Sequence, residues 1–597
     1  MSVNSESVVT AEAEAKAAPA AALRRRRRVV LIGDVGVVDG RYHLGDEAML
    51  GAAVQQLRER GDVEITVLSR NPADTAARYG VESVPGFGGT FPAGAGDDAH
   101  WLELEHLLSL ARDSDDQGAH PSSSRAALDS SAAPAIAAIR SADAIIISGG
   151  GNLNSQWPNL MFERLAVSEL ASEFGIDLVL SSQSIGPRVD HPHQGPLARI
   201  LSIARVVGVR ERGSLATLSR LGLSSGNIIH TPDDASALFF DAETGPTSLF
   251  PSGDFVAATF ARHSGIATPE AHIAGARTVI EELASTTGLP VLLIAHEGSL
   301  GSGPESGDVR FHQEIAIGLP HIDVSVLPLA DAGATKGITG RAKLVVSMRY
   351  HQIVDALGLH VPCLGISVDS YCENKLGGAL RDAGLGAFSV TTTGVSSGSF
   401  GAVLAEAWLR RSEISEHLAG LTDARQQRLS RWWDLVCNGQ GVAVADGFEE
   451  WAVAEFPTDQ AAGAANVRRE RLWFLAASEQ FDRLRAEIDA GQRALRHDER
   501  EAVFDYRLAE VHAENELLRE RNENLEAALA ASRELLTRLG DPLFAKTLAP
   551  GIGAGGEAAD ESQFKALLGT RTLRWTRAPR KLYRGFRTGF TDWDVLG

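Results

Sequence analysis

The 597-residue chain has little cysteine: Cys363, Cys372 and Cys437 stand alone, in no CxxC or zinc-ligand spacing. An odd, sparse set of this kind points to a reducing compartment. Positive charge is also short, with 57 Lys and Arg against 77 Asp and Glu for a formal net charge of −20, which argues against a global attraction to nucleic acid. No apolar run reaches the ~18 residues of a membrane span. The core of a signal peptide is missing too, because the apolar stretch behind the arginines at 24–28 is cut at Asp34, too soon for one. With neither leader nor span, the expected location is cytoplasmic.

What is present is a long alternation of short β-branched runs and helical patterns, the signature of parallel α/β units. Residues 1–28 have the composition of a disordered tail. A first Rossmann-like domain is expected over 29–240, with strands in VVLIGD, VEITVLSR, AIIISGGG, DLVLSSQSIGP, VVGVRE and NIIHTPD. A Gly/Ser/Asp-rich stretch at about 86–134 reads as an elaborated loop region with a helix near 101–111. A linker rich in Gly, Pro, Ser and Thr covers 241–253. A second Rossmann-like domain is expected over 254–395, with strands in DFVAATF, PVLLIAH, VSVLPL, KLVVSM and PCLGIS. Two such domains on one short linker predict a GT-B-like arrangement with a deep cleft between them, a usual place for ligands.

Beyond the strands, 396–460 reads as a helical segment packing on the domains, 465–540 as a helical and coiled-coil region, and 541–597 as a basic C-terminal tail. Leu508, Asn515, Asn522, Leu529 and Leu536 repeat at one heptad seam position, Val511, Leu518, Leu525, Ser532 and Leu539 at the other. Asparagine at successive seam positions costs stability but fixes register, so a homodimer through 504–539 is expected. Residues 562–591 hold eight Lys or Arg and no acid, with Trp575, Tyr583 and Phe586 between them, a composition suited to peripheral contact with an anionic membrane.

The strongest chemical signal is VVSMRYHQIVDALGLHVP at 345–362, where a buried strand becomes a helix. A helix N-terminus favours an anion, Arg349 offers a fixed fork for carboxylate or phosphate, and His351 moves a proton near neutral pH. Other junctions share that setting. RYHLGDEAML places Asp46 and Glu47 after the tight turn at Gly45. SGGGN, with Gly149, Gly150, Gly151 and Asn152, lets backbone N–H groups approach a ligand. VGVRERGSL puts Arg210 at a strand end, and HTPDD puts Asp233 at another. His191 and His193, in the Pro-rich DHPHQ segment, which reads as a solvated loop, have no third ligand in view, so no metal is expected. His296 and Glu297, at a strand end of the second domain, are expected to face the cleft.

Taken in order, these elements resemble the polysaccharide pyruvyl transferase family over about 29–385: Gly45-Asp46-Glu47, Gly149-Gly150-Gly151, the QSIGP run ending at Pro187, Arg210 with Ser214, Pro232-Asp233, Met348-Arg349-Tyr350-His351 and a late Lys375. The resemblance implies transfer of a carboxyvinyl-derived unit from phosphoenolpyruvate to two sugar hydroxyls of a cell-surface polysaccharide or its precursor, leaving a cyclic pyruvate ketal and phosphate. The donor would be phosphoenolpyruvate, the acceptor a glycan or lipid-linked glycan, and no cofactor is required. His351, Arg349, Asp46 and Glu47 are the expected catalytic set, with His351 the favoured acid. Arg210, Lys375, Asp233, Asn152 and the glycines of the turn are expected to bind substrate. Two other readings share the sequence features: a GT-B glycosyltransferase using a nucleotide sugar, and a non-catalytic assembly protein.

Overall fold

The computed structural model describes residues 26–38, 41–113, 125–238, 253–265, 267–300, 307–438, 448, 451, 453–458 and 461–494. The expected tail at 1–28, save its last three residues, most of the linker at 241–253, the heptads at 504–539 and the basic segment at 562–591 lie outside the described residues.

Apolar β-branched runs with no polar alternation form strands buried on both faces, which is the condition for a parallel sheet. In the first lobe these strands run in the order Glu82–Pro85, Val63–Ser69, Arg27–Ile32, Ala144–Ile147, Asp177–Ile185, Val206–Val209 and Ile228–His230, all parallel, with Gly150–Leu153 also paired to Asp177–Ile185. The second lobe has the order Val324–Val326, Val291–Leu293, Val256–Thr259, Val345–Ser347, Cys363–Ser367 and Ser389–Thr391, again all parallel. Helices cover both sheets, so the molecule is a pair of Rossmann-like lobes in a GT-B-like arrangement, followed by a helical C-terminal region.

A separate two-stranded antiparallel ribbon joins the lobes, Arg41–His43 of the first pairing with Glu297–Ser299 of the second. The Leu44 N–H adds a bond to the His296 carbonyl at 3.0 Å. Lys336, on the second-lobe helix Ala332–Thr339, reaches the carbonyls of Ala235 (3.1 Å) and Leu238 (3.0 Å) in the first. Nothing in the sequence periodicity marks so short a ribbon.

The helix Thr422–Cys437 belongs spatially to the first lobe. Trp432 and Trp433 are fully buried there, in a cluster with Val29, Leu31, Val206 and Ile229. Trp432 donates its indole N–H to Ser181 Oγ at 2.9 Å. A Cβ added at Gly208 would stand 2.6 Å from the Trp432 ring, so that close approach requires glycine.

Two local expectations are revised. The 86–134 stretch holds not one helix but two, Asp97–Asp113 and Arg125–Ser141, the second running through Pro134. The proline-rich DHPHQ segment is not a loop; it starts the helix Val189 precedes, His191–Ile203, with Pro192 in the first turn, where the missing N–H of proline costs nothing. Among the described residues no helix is long and apolar enough to cross a membrane.

Candidate active site at the cleft between the lobes

Strand C-termini from both sheets converge on the cleft and deliver its side chains. Arg210 follows the strand Val206–Val209 and is almost fully buried. Its Nη1 donates to Asp233 Oδ2 at 2.8 Å, and its Nε to Glu211 Oε1 at 3.0 Å and Ser184 Oγ at 2.8 Å. Its guanidinium lies 4.4 Å from the centre of the Tyr350 ring, in a cation–π contact across the lobes. Asp233 also accepts from the Ala235 N–H at 2.8 Å. Burial alone would raise its pKa, but the Arg210 guanidinium, with the Ala235 N–H, outweighs that and holds the carboxyl below its ordinary range.

The helix Tyr350–Gly358 begins at the cleft, directly after Arg349. His351 Nε2 stands 3.8 Å from Asp233 Oδ2, beyond hydrogen-bond reach, and is buried without a hydrogen-bond partner. Burial, assisted by Arg210 and Lys375 against the pull of Asp233, lowers its pKa to about 3, so the ring is neutral at working pH. Gly45 packs against that ring: a Cβ there would lie 1.8 Å from His351 Nδ1. The glycine of the GDE motif is thus explained by the histidine it makes room for, not by backbone strain.

Asp46 sits in the first turn of the helix Leu44–Arg60. Burial and the neighbouring charge of Asp34 raise its pKa to about 6, against the opposing pull of His43, Lys375 and Arg210. A carboxyl poised so close to neutrality suits proton transfer. Glu47 is held elsewhere. Its Oε1 accepts from the Gly36 N–H at 2.9 Å and its Oε2 accepts from the Tyr79 hydroxyl, so it anchors a loop and a helix within the first lobe.

Lys375 lies in a π-helical turn, Glu373–Gly377, a rare geometry that recurs at functional sites. Its Nζ donates to Tyr371 Oη at 3.1 Å, and Tyr371 in turn donates across the cleft to the Gly151 carbonyl at 3.1 Å. A Cβ on Gly151 would be 2.1 Å from Tyr371 Oη and 3.4 Å from Lys375 Nζ, so this glycine lets the second lobe reach the turn. Gly149 is equally tight, 2.4 Å from Met49 Sδ by the same measure, whereas Gly150 would meet only Asn152. Beneath the turn, Gln183 donates to the Ser148 carbonyl at 2.9 Å. Ser182, at φ 54°, marks the register break in that strand.

Arg349 takes a different place from the rest. Its Nε and Nη2 bond to Asp308 at 3.0 and 2.5 Å, and Nη2 also to Glu297 at 2.8 Å. Glu297 also forms an ion pair with Arg41 at 3.6 Å, so Arg349 ends a charge network that runs through the inter-lobe ribbon. His296 is buried rather than open to the cleft and hydrogen-bonds Gln352. His193 bonds Ser155 Oγ (2.8 Å) and Asp97 (3.2 Å), and among the described residues no cluster of three His, Cys, Asp or Glu is placed to hold a metal.

The cleft therefore gathers Asp46, the Gly149–Gly151 turn, Arg210, Asp233, His351 and Lys375, while Glu47 and Arg349 face inward to their own lobes. Sequence reasoning overlooked Tyr350, Tyr371 and Asp34. Tyr350 stood in plain view between Arg349 and His351, but only the fold reveals that it supports Arg210.

The model of the family described as polysaccharide pyruvyl transferase matches residues 43–370. No curated protein matches the chain. Among solved structures, the UDP-GlcNAc 2-epimerase of Methanocaldococcus jannaschii is similar at 12% identity, over 69% of this chain and 100% of that one, with a TM-score of 0.43. The UDP-GlcNAc 2-epimerase of Neisseria meningitidis bound to UDP-GlcNAc is similar at 10% identity, over 69% and 98%, with a TM-score of 0.43. A glycosyltransferase from Streptomyces sp. SF2575 is similar at 13% identity, over 69% and 99%, with a TM-score of 0.36.

Proposed function

The chain belongs to the polysaccharide pyruvyl transferase family, and from that premise we propose that it transfers a pyruvyl unit from phosphoenolpyruvate to two hydroxyls of a cell-surface glycan or its precursor, forming a cyclic ketal. The observation that carries this reading is the meeting, from opposite lobes, of the Lys375 ammonium and the Gly151 turn beside a carboxyl of raised pKa and a neutral, unpartnered imidazole. A donor with both carboxylate and phosphate needs a cation and N–H groups. Lys375, the glycine turn and the N-terminus of the helix Tyr350–Gly358 offer them.

In this scheme the protonated Asp46 carboxyl gives its proton to the terminal alkene carbon of the donor, and the positive charge that develops on the adjacent carbon is shared with its oxygens. One acceptor hydroxyl attacks that carbon. Its proton passes to His351 Nε2, and Asp233, 3.8 Å away, stabilises the imidazolium. The second hydroxyl attacks the same carbon as the carbon–oxygen bond to phosphate breaks. Its proton leaves with the phosphate, His351 returns its own to Asp46 through solvent, and both groups are reset. His351, first favoured as the acid, is the base in this scheme and Asp46 the acid, because burial holds the ring neutral. Arg210 positions Asp233 and Tyr350, and Arg349 supports the ribbon.

The deciding experiment incubates the protein with phosphoenolpyruvate and a panel of acceptor glycans, reading phosphate release and the mass of the product. A ketal adduct with equimolar phosphate is expected. Thermal stabilisation by nucleotide sugars and none by phosphoenolpyruvate would overturn the reading in favour of a glycosyltransferase. The heptads at 504–539 and the basic segment at 562–591 extend the proposal to a homodimer that docks reversibly on an anionic leaflet. Vesicle binding that falls with salt and disappears on removal of 562–597 is expected.

A further inference from the structure

Behind the cleft, the first lobe, the helix Tyr350–Gly358 and the helix Thr422–Cys437 border an open cavity of about 120 Å³. Asp46, His351 and Lys375 do not line it. The Tyr350 ring is the partition, with Arg210 4.4 Å from its centre and Lys375 5.5 Å. The second lobe's helix supplies apolar wall through Val354 and Leu357, and Leu429 faces them from the C-terminal helix.

Arg425 is the odd residue of this cavity. Its Nη1 donates to the Leu357 carbonyl at a long 3.4 Å, and its guanidinium lies 5.9 Å from the centre of a Trp451 ring. Among the described residues no carboxylate lies within ion-pair distance of it. Burial depresses its pKa, with Asp382 only partly compensating. The guanidinium is half-buried, with one long hydrogen bond and no carboxylate of the described residues beside it, so it remains available to an anion that enters the cavity. The carboxylates that share the cavity are already committed: Asp233 to Arg210 at 2.8 Å, Asp382 to His230 at 3.1 Å and Arg212 at 3.2 Å. Asp382 therefore compensates Arg425 only in part, and both carboxylates repel a second anionic group on an occupant.

We propose that this cavity is a second ligand site, taking a small organic monocarboxylate whose anionic end pairs with Arg425 and whose apolar body lies on Val354, Leu357 and Leu429. The planar fork of arginine matches a carboxylate with two parallel bonds. The site adjoins the catalytic cleft, since Arg210 and Asp233 line both, but it lies outside the reach of Asp46, His351 and Lys375, and Asp233 and Asp382 disfavour a second anionic group there.

The test is calorimetric titration of the full-length protein with benzoate, in parallel with three variants. Wild type is expected to bind with a single saturable isotherm. Arg425→Gln should weaken binding at least tenfold. Gly358→Leu should do the same while keeping the arginine: Gly358 lines the cavity, and a Cβ there meets nothing within 4 Å, so the larger side chain has room to enter. Lys375→Ala should bind benzoate as wild type does. If Arg425→Gln fails to fold, the Gly358 variant decides alone. Absence of saturable binding by wild type, binding that survives both cavity variants, or loss of binding in Lys375→Ala would overturn the proposal.

Discussion

A single carboxyl sets the pH behaviour expected of this enzyme. Asp46 has its pKa raised to about 6 by burial and by Asp34. As the acid it must start protonated, so kcat/KM is expected to be level below about pH 6 and to fall tenfold per unit above it. A phosphate monoester also titrates near pH 6, so the control is Asp46→Asn. That variant should lose about 10²- to 10⁴-fold in rate and the Asp46 limb with it, measured by steady-state kinetics across pH 4.5–8. A limb rising with pH would instead make Asp46 a base. Gly45 offers a second test at this scale. A methyl group there would occupy the place of His351 Nδ1. Gly45→Ala should therefore match His351→Ala in lost turnover while circular dichroism keeps the wild-type signature and stability falls by about 1–3 kcal/mol at most. If Gly45→Ala kept full turnover, the tight contact would have no part in holding the ring.

At the scale of elements, the turn that carries Lys375 depends on a helix far along the chain. Ala461–Ala494 packs beside it, where Ser478 Oγ accepts the Ser370 N–H at 2.6 Å and Asp482 accepts the Ser370 hydroxyl at 3.1 Å. Arg188 of the first lobe donates to the Asp482 carbonyl at 3.0 Å, so one helical turn touches both lobes. Ser478→Ala leaves the Ser370 N–H buried without an acceptor, at a local cost of about 1–3 kcal/mol. The expected outcome is a phosphoenolpyruvate KM raised about tenfold, equivalent to about 1.4 kcal/mol, with kcat little changed. An unchanged KM would mean that the helix does not steady the turn. The strands of both sheets were legible because unbroken runs such as AIII and VVGV have no polar face to offer water. The ribbon was not, since three residues against three carry no periodicity. The site was legible as far as chemistry lay at strand ends, which found Asp46, Arg210, His351 and the glycine turn. Which way Glu47 and Arg349 face depends on Tyr79 and Asp308, partners 32 and 41 positions away that no local pattern links to them.

For the molecule as a whole, the two lobes are joined by the ribbon, by Lys336 and by Tyr371. Gly208→Ala probes how far the first lobe depends on Trp432: overpacking a rigid indole should destabilise the chain by about 1–3 kcal/mol, read by chemical denaturation, and no change would show that the ring has room to move. The same pair of tryptophans has a consequence in time. During synthesis the first sheet leaves the ribosome long before residues 422–437, which complete its apolar face. Roughly 200 residues separate the two, on the order of 10–40 s of translation at bacterial-to-eukaryotic elongation rates. For that interval the apolar face around Val29, Leu31 and Val206 lacks the two indoles that complete it, and the lobe must hold its shape on the helix Leu44–Arg60 alone.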